Sequence, residues 1–306
     1  YRGDHHRPVR FVKRRGLAVG LVGVIAVIGG FLAFTSPPRL LSYYDRVAGG
    51  TSGARLVGEG VAFGSHGQTL DIWAPETAPS GKMPVVVFWY GGGWAKGDRE
   101  SYAFAGRALA RAGFLVVIPD YRKVPDVLFP AFVDDAAEAV AWTTANAAKH
   151  GGDPARVAFM GHSAGAYQAV MLALDAKRLA AVGVDPAIVK AAVGLSGPYD
   201  FYPFDSPRST AAFSEWPRPD ETQPITYARA DAPPLLLVTS DGDETVRARN
   251  TNNLAARLRE VGAPVEVINY GPLDHEEIVM ALAVPFRSKG TVLADSVAFL
   301  KGRMGE

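Results

Sequence analysis

One pentapeptide, Gly161-His162-Ser163-Ala164-Gly165, restricts the folds open to this chain more than any other stretch. Arg156-Val157-Ala158-Phe159-Met160 precedes it, a short apolar segment suited to a buried strand. Residues 166–174 follow it, dominated by Ala, Val, Met and Leu without Gly or Pro, a helical composition. A serine at a strand-to-helix junction, with glycine two places to either side, is the pattern of a nucleophile elbow. The reason is steric: the turn must be sharp enough to project the hydroxyl from the sheet edge, and side chains at 161 and 165 would collide there. A chance match of G-x-S-x-G is the competing reading, and the flanking strand and helix weigh against it.

The remainder of the chain fits such a junction. Strands are expected over 61–64 and 69–73, joined as a hairpin, and over 84–89, 114–118, 156–160, 191–195, 234–238 and 265–270. Helices are expected over 101–112, 132–148, 166–174, 246–261 and 291–301. This alternation predicts an α/β fold with a mostly parallel central sheet and helices on both faces. The 306 residues, 48% hydrophobic and 21% charged, are enough for one large domain with a sizeable core. A net charge of +1 gives no electrostatic case for a nucleic-acid partner. With no cysteine, disulfides, thiolate metal sites and a cysteine nucleophile drop out.

The N-terminal stretch has a different texture. Arg2, Arg7, Arg10, Lys13, Arg14 and Arg15 precede an uncharged apolar run over residues 16–34. As a helix that run extends about 28 Å, close to the thickness of a bilayer core. It exceeds the usual signal-peptide core of about 7–15 residues, and no clear A-x-A site follows. The expectation is a basic cytoplasmic tail over 1–15, a transmembrane helix or uncleaved signal anchor over 16–34, a linker over 35–57, and an α/β domain over 58–306. The domain is expected to be exported and held at the membrane by that helix, with secretion after signal cleavage as the alternative. Pro37-Pro38 and Gly49-Gly50-Thr51-Ser52-Gly53 carry the linker reading.

Three further elements supply chemistry. Tyr90-Gly91-Gly92-Gly93-Trp94 ends the 84–89 strand. Backbone N–H groups bare of side chains can meet an oxyanion, each worth roughly 3–4 kcal/mol in a transition state. A phosphate loop is disfavoured, since neither G-K-[ST] nor G-x-G-x-x-G is present. A general base follows by elimination among six histidines. His5 and His6 precede the apolar run, His66 lies in the hairpin turn, His150 belongs at the opposite sheet edge, and His162 diverges from its neighbour on a sharp turn. His275 remains, in a loop after the last apolar strand, on the same edge as the elbow. Among Asp241, Asp243 and Glu244, which follow the 234–238 strand, Asp243 is chosen as the orienting carboxylate. Asp241 is expected to shape the turn, and a helix cap is the alternative role for Asp243. The order Ser163, Asp243, His275 is that of α/β-hydrolases.

With these residues in place, the chain over 61–300 resembles an α/β-hydrolase of the carboxylesterase type, close to hormone-sensitive-lipase-like and feruloyl-esterase-like bacterial esterases. Asp120-Tyr121-Arg122 with Pro125, Phe129-Pro130-Ala131 with Asp135, and Gly152-Asp153-Pro154 add to the resemblance. The resemblance implies oxyanion donors at Gly92, Gly93 and Ala164, and a small-molecule ester cleaved through an acyl-enzyme without metal or cofactor. It departs at Tyr90, where the family usually carries histidine in a loop-supporting role. Residues 198–233, with Tyr199, Phe201, Tyr202, Phe204, Phe213 and Trp216 among prolines, are expected to form a cap with aromatic walls. Trp94, Tyr199 and Phe201 are the candidate substrate-binding residues. A peptidase or acyl transferase with the same triad, and a catalytically silent membrane-anchored binding protein, are the alternative functions.

Overall fold

A computed structural model describes residues 36–305 of the chain. Its sheet holds β1 (Ala54–Phe63), β2 (Gln68–Pro75), β3 (Met83–Trp89), β4 (Leu115–Pro119), β5 (Gly152–His162), β6 (Val189–Leu195), β7 (Leu235–Thr239) and β8 (Val265–Asn269). Their spatial order is β1-β2-β4-β3-β5-β6-β7-β8. β2 pairs antiparallel with β1 and β4, and every later pair is parallel. The helices are α1 (Pro37–Asp45), α2 (Ala103–Arg111), α3 (Ala131–Asn146), α4 (Ala164–Leu174), α5 (Ala176–Ala181), α6 (Pro207–Phe213), α7 (Arg249–Glu260), α8 (His275–Met280) and α9 (Val292–Met304).

The middle of the sheet is the core. All of β3, Met-Pro-Val-Val-Val-Phe-Trp, is buried, as a parallel strand covered on both faces must be. β4 and β7 are buried along their whole length as well. Every residue of α4 is buried, because the helix packs against β5 and β6 beneath the rest of the domain. The loops leaving the C-terminal ends of β3, β5, β7 and β8 share one sheet edge, where open α/β sheets place their ligand sites.

Two boundaries differ from the sequence expectation. Residues 35–57 do not form a linker where the structure describes them. Pro37 and Pro38 open α1, where a missing N–H and a fixed φ suit a helix start. A π-helical turn, Arg46–Gly50, follows. Asp45 is fully buried and takes the Nε and Nη2 of Arg107 at 2.9 and 2.7 Å. Its other oxygen accepts the Val284 N–H at 2.8 Å. Removing one partner of such a buried pair costs about 3–5 kcal/mol, so this strap is bolted to the domain. β1 also begins at Ala54 rather than near 61, since register shifts between Leu56 and Gly58 and between Gly58 and Val61 break the alternation that marks a strand in sequence.

The basic tail and the apolar run over 16–34 lie outside the described residues. Among the described residues, no helix is long and apolar enough to cross a membrane.

Candidate active site

Ser163 sits between β5 and α4 at φ 56° and ψ −121°, a conformation that costs a non-glycine residue on the order of 1–3 kcal/mol. Its N–H donates to the Leu195 carbonyl at 2.9 Å, which ties the strained turn to β6. A Cβ on Gly161 would fall 2.3 Å from the Gly165 carbonyl oxygen, and one on Gly165 would fall 2.0 Å from the Trp89 carbonyl oxygen. The two glycines therefore let strand, helix and the neighbouring β3 approach at backbone distance.

The structure brings Ser163, His275 and Asp243 into one line. Ser163 Oγ lies 2.8 Å from His275 Nε2, and His275 Nδ1 lies 2.8 Å from Asp243 Oδ2. A carboxylate only accepts, so Nδ1 carries the proton, and Nε2 is free to accept from the serine hydroxyl. The other Asp243 oxygen accepts the N–H groups of Thr245 and Val246 at 3.0 and 2.7 Å. Burial pushes the Asp243 carboxyl up, but the His275 hydrogen bond and charge, the Val246 N–H and the Ser196 hydroxyl outweigh it, and the group sits below its ordinary range. It therefore faces the histidine as an anion at neutral pH.

Local chemistry fixes the two loops that carry base and acid. His275 opens α8 directly after Asp274, whose side chain accepts the Glu277 N–H at 2.7 Å in a reciprocal capping box. The Ser240 hydroxyl, just before the acid, donates to the carbonyls of Gly271 and Leu273, just before the base. Asp241 is exposed and accepts from the Asn269 side-chain amide at 2.8 Å, away from the histidine. Asp243 does not cap α7, which starts only at Arg249 with Ala248 at its N-cap.

His162 diverges from Ser163 as expected, yet it has a place in the site that the sequence does not display. It is buried, with its ring 4.8 Å from that of His275. Its Nε2 lies 3.0 Å from the His275 carbonyl oxygen and its Nδ1 lies 3.2 Å from the Tyr102 hydroxyl. Facing a carbonyl, Nε2 must donate, so Nδ1 accepts from tyrosine. Burial, then the nearby His275, pushes the His162 pKa down to about 3, so the ring is neutral and braces the backbone of the base.

The loop after β3 curls as an oxyanion site requires. Gly92 and Gly93 lie at φ 138° and 60°, and the Gly92 carbonyl accepts the N–H groups of Ala95 and Lys96. A Cβ on Gly92 would fall 2.2 Å from the Lys96 carbonyl oxygen. Among the described residues, the N–H groups of Gly92, Gly93 and Ala164 have no backbone acceptor. Tyr90 braces this loop from beneath: its buried hydroxyl donates to Asp120 at 2.9 Å, and Asp120 in turn pairs with Arg99 at 2.8 Å. Arg122 pairs with Asp135 at 2.7 Å. These motif residues hold the scaffold and do not line the cavity.

A cavity of about 310 Å³ opens beside Ser163, lined by Gly93, Trp94, Ala164 and Phe201 among others. Trp94 and Phe201 thus reach it, while Tyr199 does not. Tyr199 is fully buried, its ring laid over Gly194 and Gly197 and its N–H held by Asn250 at 3.0 Å. Those two glycines open a slot at the end of β6 that the ring fills. The aromatic cap residues also do less walling than expected, because they interlock with the domain. Trp94 meets Phe213 edge-on at 4.8 Å and stacks on Phe201 at 6.0 Å, and Tyr167 meets Phe213 at 5.4 Å. The mouth is polar instead, formed by Asp205, Arg208, Glu244, Arg247 and Arg249. Among the described residues, no cluster of three or more His, Asp or Glu side chains could hold a metal ion.

A serine on a strained elbow, with an acid and a histidine following in that order from later strands of a mostly parallel sheet, places the protein in the α/β-hydrolase class. Its similarities fall in the same class. Esterase LipQ of Mycobacterium tuberculosis is 29% identical over 274 residues, covering 78% of this chain and 61% of that protein. Carboxylesterase NlhH of the same organism is 32% identical over 242 residues, covering 72% of this chain and 73% of that protein. The solved structure of EstE1, a thermostable carboxylesterase from a metagenomic library, aligns at a TM-score of 0.70 and 20% identity, covering 89% of this chain and 99% of that one; the likeness is one of fold. The BD-FAE family matches over residues 70–258, and the chain belongs to it.

Proposed function

We propose that this protein is a serine hydrolase of small carboxylic esters, working through an acyl-enzyme. The observation that carries the reading is the line from Ser163 Oγ through His275 to Asp243, with 2.8 Å at each step. His275 Nε2 takes the serine proton as Oγ bonds to the ester carbonyl carbon, and Asp243 stabilises the imidazolium. The carbonyl oxygen, now negative, meets the N–H groups of Gly92, Gly93 and Ala164. The C–O bond to the alcohol breaks, and the alcohol leaves with the proton held by His275. Water then gives its proton to His275, attacks the acyl carbon, and frees the acid and Ser163. Relatives named as esterases support the reaction class.

The test is a p-nitrophenyl ester series on the purified chain, read by rapid mixing. The expected result is a burst of p-nitrophenol equal to the enzyme concentration, absent from Ser163→Ala. Turnover by Ser163→Ala at the wild-type rate would contradict the assignment.

The same proposal places the protein at a membrane. The apolar run over 16–34 and the arginines and lysine before it support an N-terminal anchor with the catalytic domain exported. Resistance of the full-length chain to carbonate extraction, with cleavage by protease added outside the inner membrane, is the expected outcome. A domain protected in intact spheroplasts would reverse the topology.

A further inference from the structure

We propose that the ester hydrolysed here carries an anionic group, a carboxylate, sulfate or phosphate, which Arg208 and Arg247 receive at the mouth of the cavity. The inference rests on the ester-hydrolase reading above and names its substrate class.

The mouth is built from two sides. Arg208 comes from α6 in the cap, and Arg247 comes from the turn that follows Asp243. Three guanidinium groups, of Arg208, Arg247 and Arg249, face two carboxylates, of Asp205 and Glu244. Arg249 and Asp205 are paired with each other at 3.4 Å. Within this cavity that leaves two arginines against Glu244. Arg247 also lines an adjoining cavity with Asp241 and with Asp243, whose carboxylate is held by His275. Neither the Arg208 nor the Arg247 guanidinium has a carboxylate within ion-pair distance among the described residues. The buried scaffold arginines are paired closely, Arg99 with Asp71 at 2.8 Å, Arg107 with Asp45 at 2.7 Å and Arg122 with Asp135 at 2.7 Å, so what marks Arg208 and Arg247 is their place on the cavity beside Ser163.

Arg208 lies over the oxyanion loop itself. A Cβ on Gly93 would meet its Cδ at 2.4 Å and its Nε and Nη1 at 3.2 Å. The guanidinium therefore stands a few atoms from the carbonyl that Ser163 attacks, within reach of a substituent on the acyl or the alcohol part. Guanidinium stays charged across the working pH range and presents a fork of donors that matches carboxylate, sulfate and phosphate oxygens. The cavity volume of about 310 Å³ suits a small ester, and the aromatic rings that could have formed a long apolar tunnel are spent on one another.

The test compares matched esters on the full-length chain at low ionic strength, each rate normalised to that of hydroxide. One pair, 4-acetoxybenzoate and methyl 4-acetoxybenzoate, puts the anion on the alcohol part. The other, methyl hydrogen adipate and dimethyl adipate, puts it on the acyl part. In at least one pair the anionic ester is expected to have a kcat/KM about tenfold above its neutral partner, the factor that two exposed charge-assisted contacts supply. High salt should draw that ratio toward one, since exposed charges are screened. Arg208→Gln and Arg247→Gln should each lower the ratio through KM, and Arg208→Lys should keep part of it. If Arg208→Gln does not fold, Arg247→Gln and the salt titration read the same ratio. Neutral esters cleaved as fast as, or faster than, anionic ones in both pairs would overturn this inference and leave the ester reading standing. No cleavage of any of the four would overturn the ester reading, and this inference with it.

Discussion

The elbow at residues 161–165 and the segment over residues 198–233 border one cavity and are held there in different ways. In the elbow the contacts are backbone to backbone. Gly161 faces the Gly165 carbonyl, Gly165 faces the Trp89 carbonyl, and neither place has room for one carbon more. In the cap the contacts are ring to ring, with Phe213 meeting Trp94, Phe132, Tyr167, Phe201 and Phe204. A backbone contact has no slack, so its loss is all or none. A cluster of rings shares its packing energy over many pairs, so its loss is graded. The strained, unforgiving part thus carries Ser163, and the adaptable part packs beside the cavity it opens on.

The sharpest way to break this contrast is Gly165→Ala. The added methyl falls 2.0 Å from the Trp89 carbonyl oxygen, far inside van der Waals contact, and the variant is expected to lose the folded state and all activity, read by circular dichroism and ester turnover. Asp243→Asn should keep the fold and lower kcat by about 10⁴-fold, because the histidine loses its orienting anion. Asp241→Asn, whose carboxylate accepts from Asn269 and not from His275, should change kcat by less than about twofold. Equal losses in the two variants would remove Asp243 from its role.

The cap side should yield more gently. Phe213→Ala is expected to cost about 3–5 kcal/mol of stability, seen as a lower denaturant midpoint, while kcat stays within about tenfold. Loss of activity with unchanged stability would mean that the ring acts on substrate and not as an anchor.

The smallest effect concerns His162. Its pKa is about 3 in the folded chain against an ordinary 6.5. The unfolded chain therefore takes up a proton that the folded chain refuses as pH falls through that window. The contribution to stability is complete above pH 6.5 and is lost progressively toward pH 3. His162→Gln should lower the Tm at neutral pH, through the lost brace on His275, and flatten its decline across the acid window. An unchanged slope would mean that His162 titrates normally in the fold.

How far the sequence displays these features follows the same division. The elbow and the base were legible because each depends on local spacing: glycines two places from a serine, and a histidine just beyond the last strand. Asp243 and Asp241 differ in sequence only by position in one turn, and in the fold Asp243 faces His275 while Asp241 accepts from Asn269. Features held by distant partners were not legible. Pro37-Pro38 and the glycines near 50 read as a linker until Asp45 meets Arg107. Tyr199 read as an open wall until Gly194 and Gly197 make a slot for it. The brace from His162 to the His275 carbonyl spans 113 residues, and no local pattern marks it. Arg208 and Arg247 line one cavity because α6 lies beside Gly93, which no local pattern marks.

The most direct test of the central claim is the mass and site of a covalent adduct. The full-length chain is treated with a fluorophosphonate, digested and mapped by mass spectrometry, alongside Ser163→Ala and Asp243→Asn. One adduct per chain on the peptide containing Ser163 is expected, formed far more slowly in Asp243→Asn and absent from Ser163→Ala. An adduct on a different serine, or stoichiometric labelling that survives Ser163→Ala, would contradict the assignment of the nucleophile.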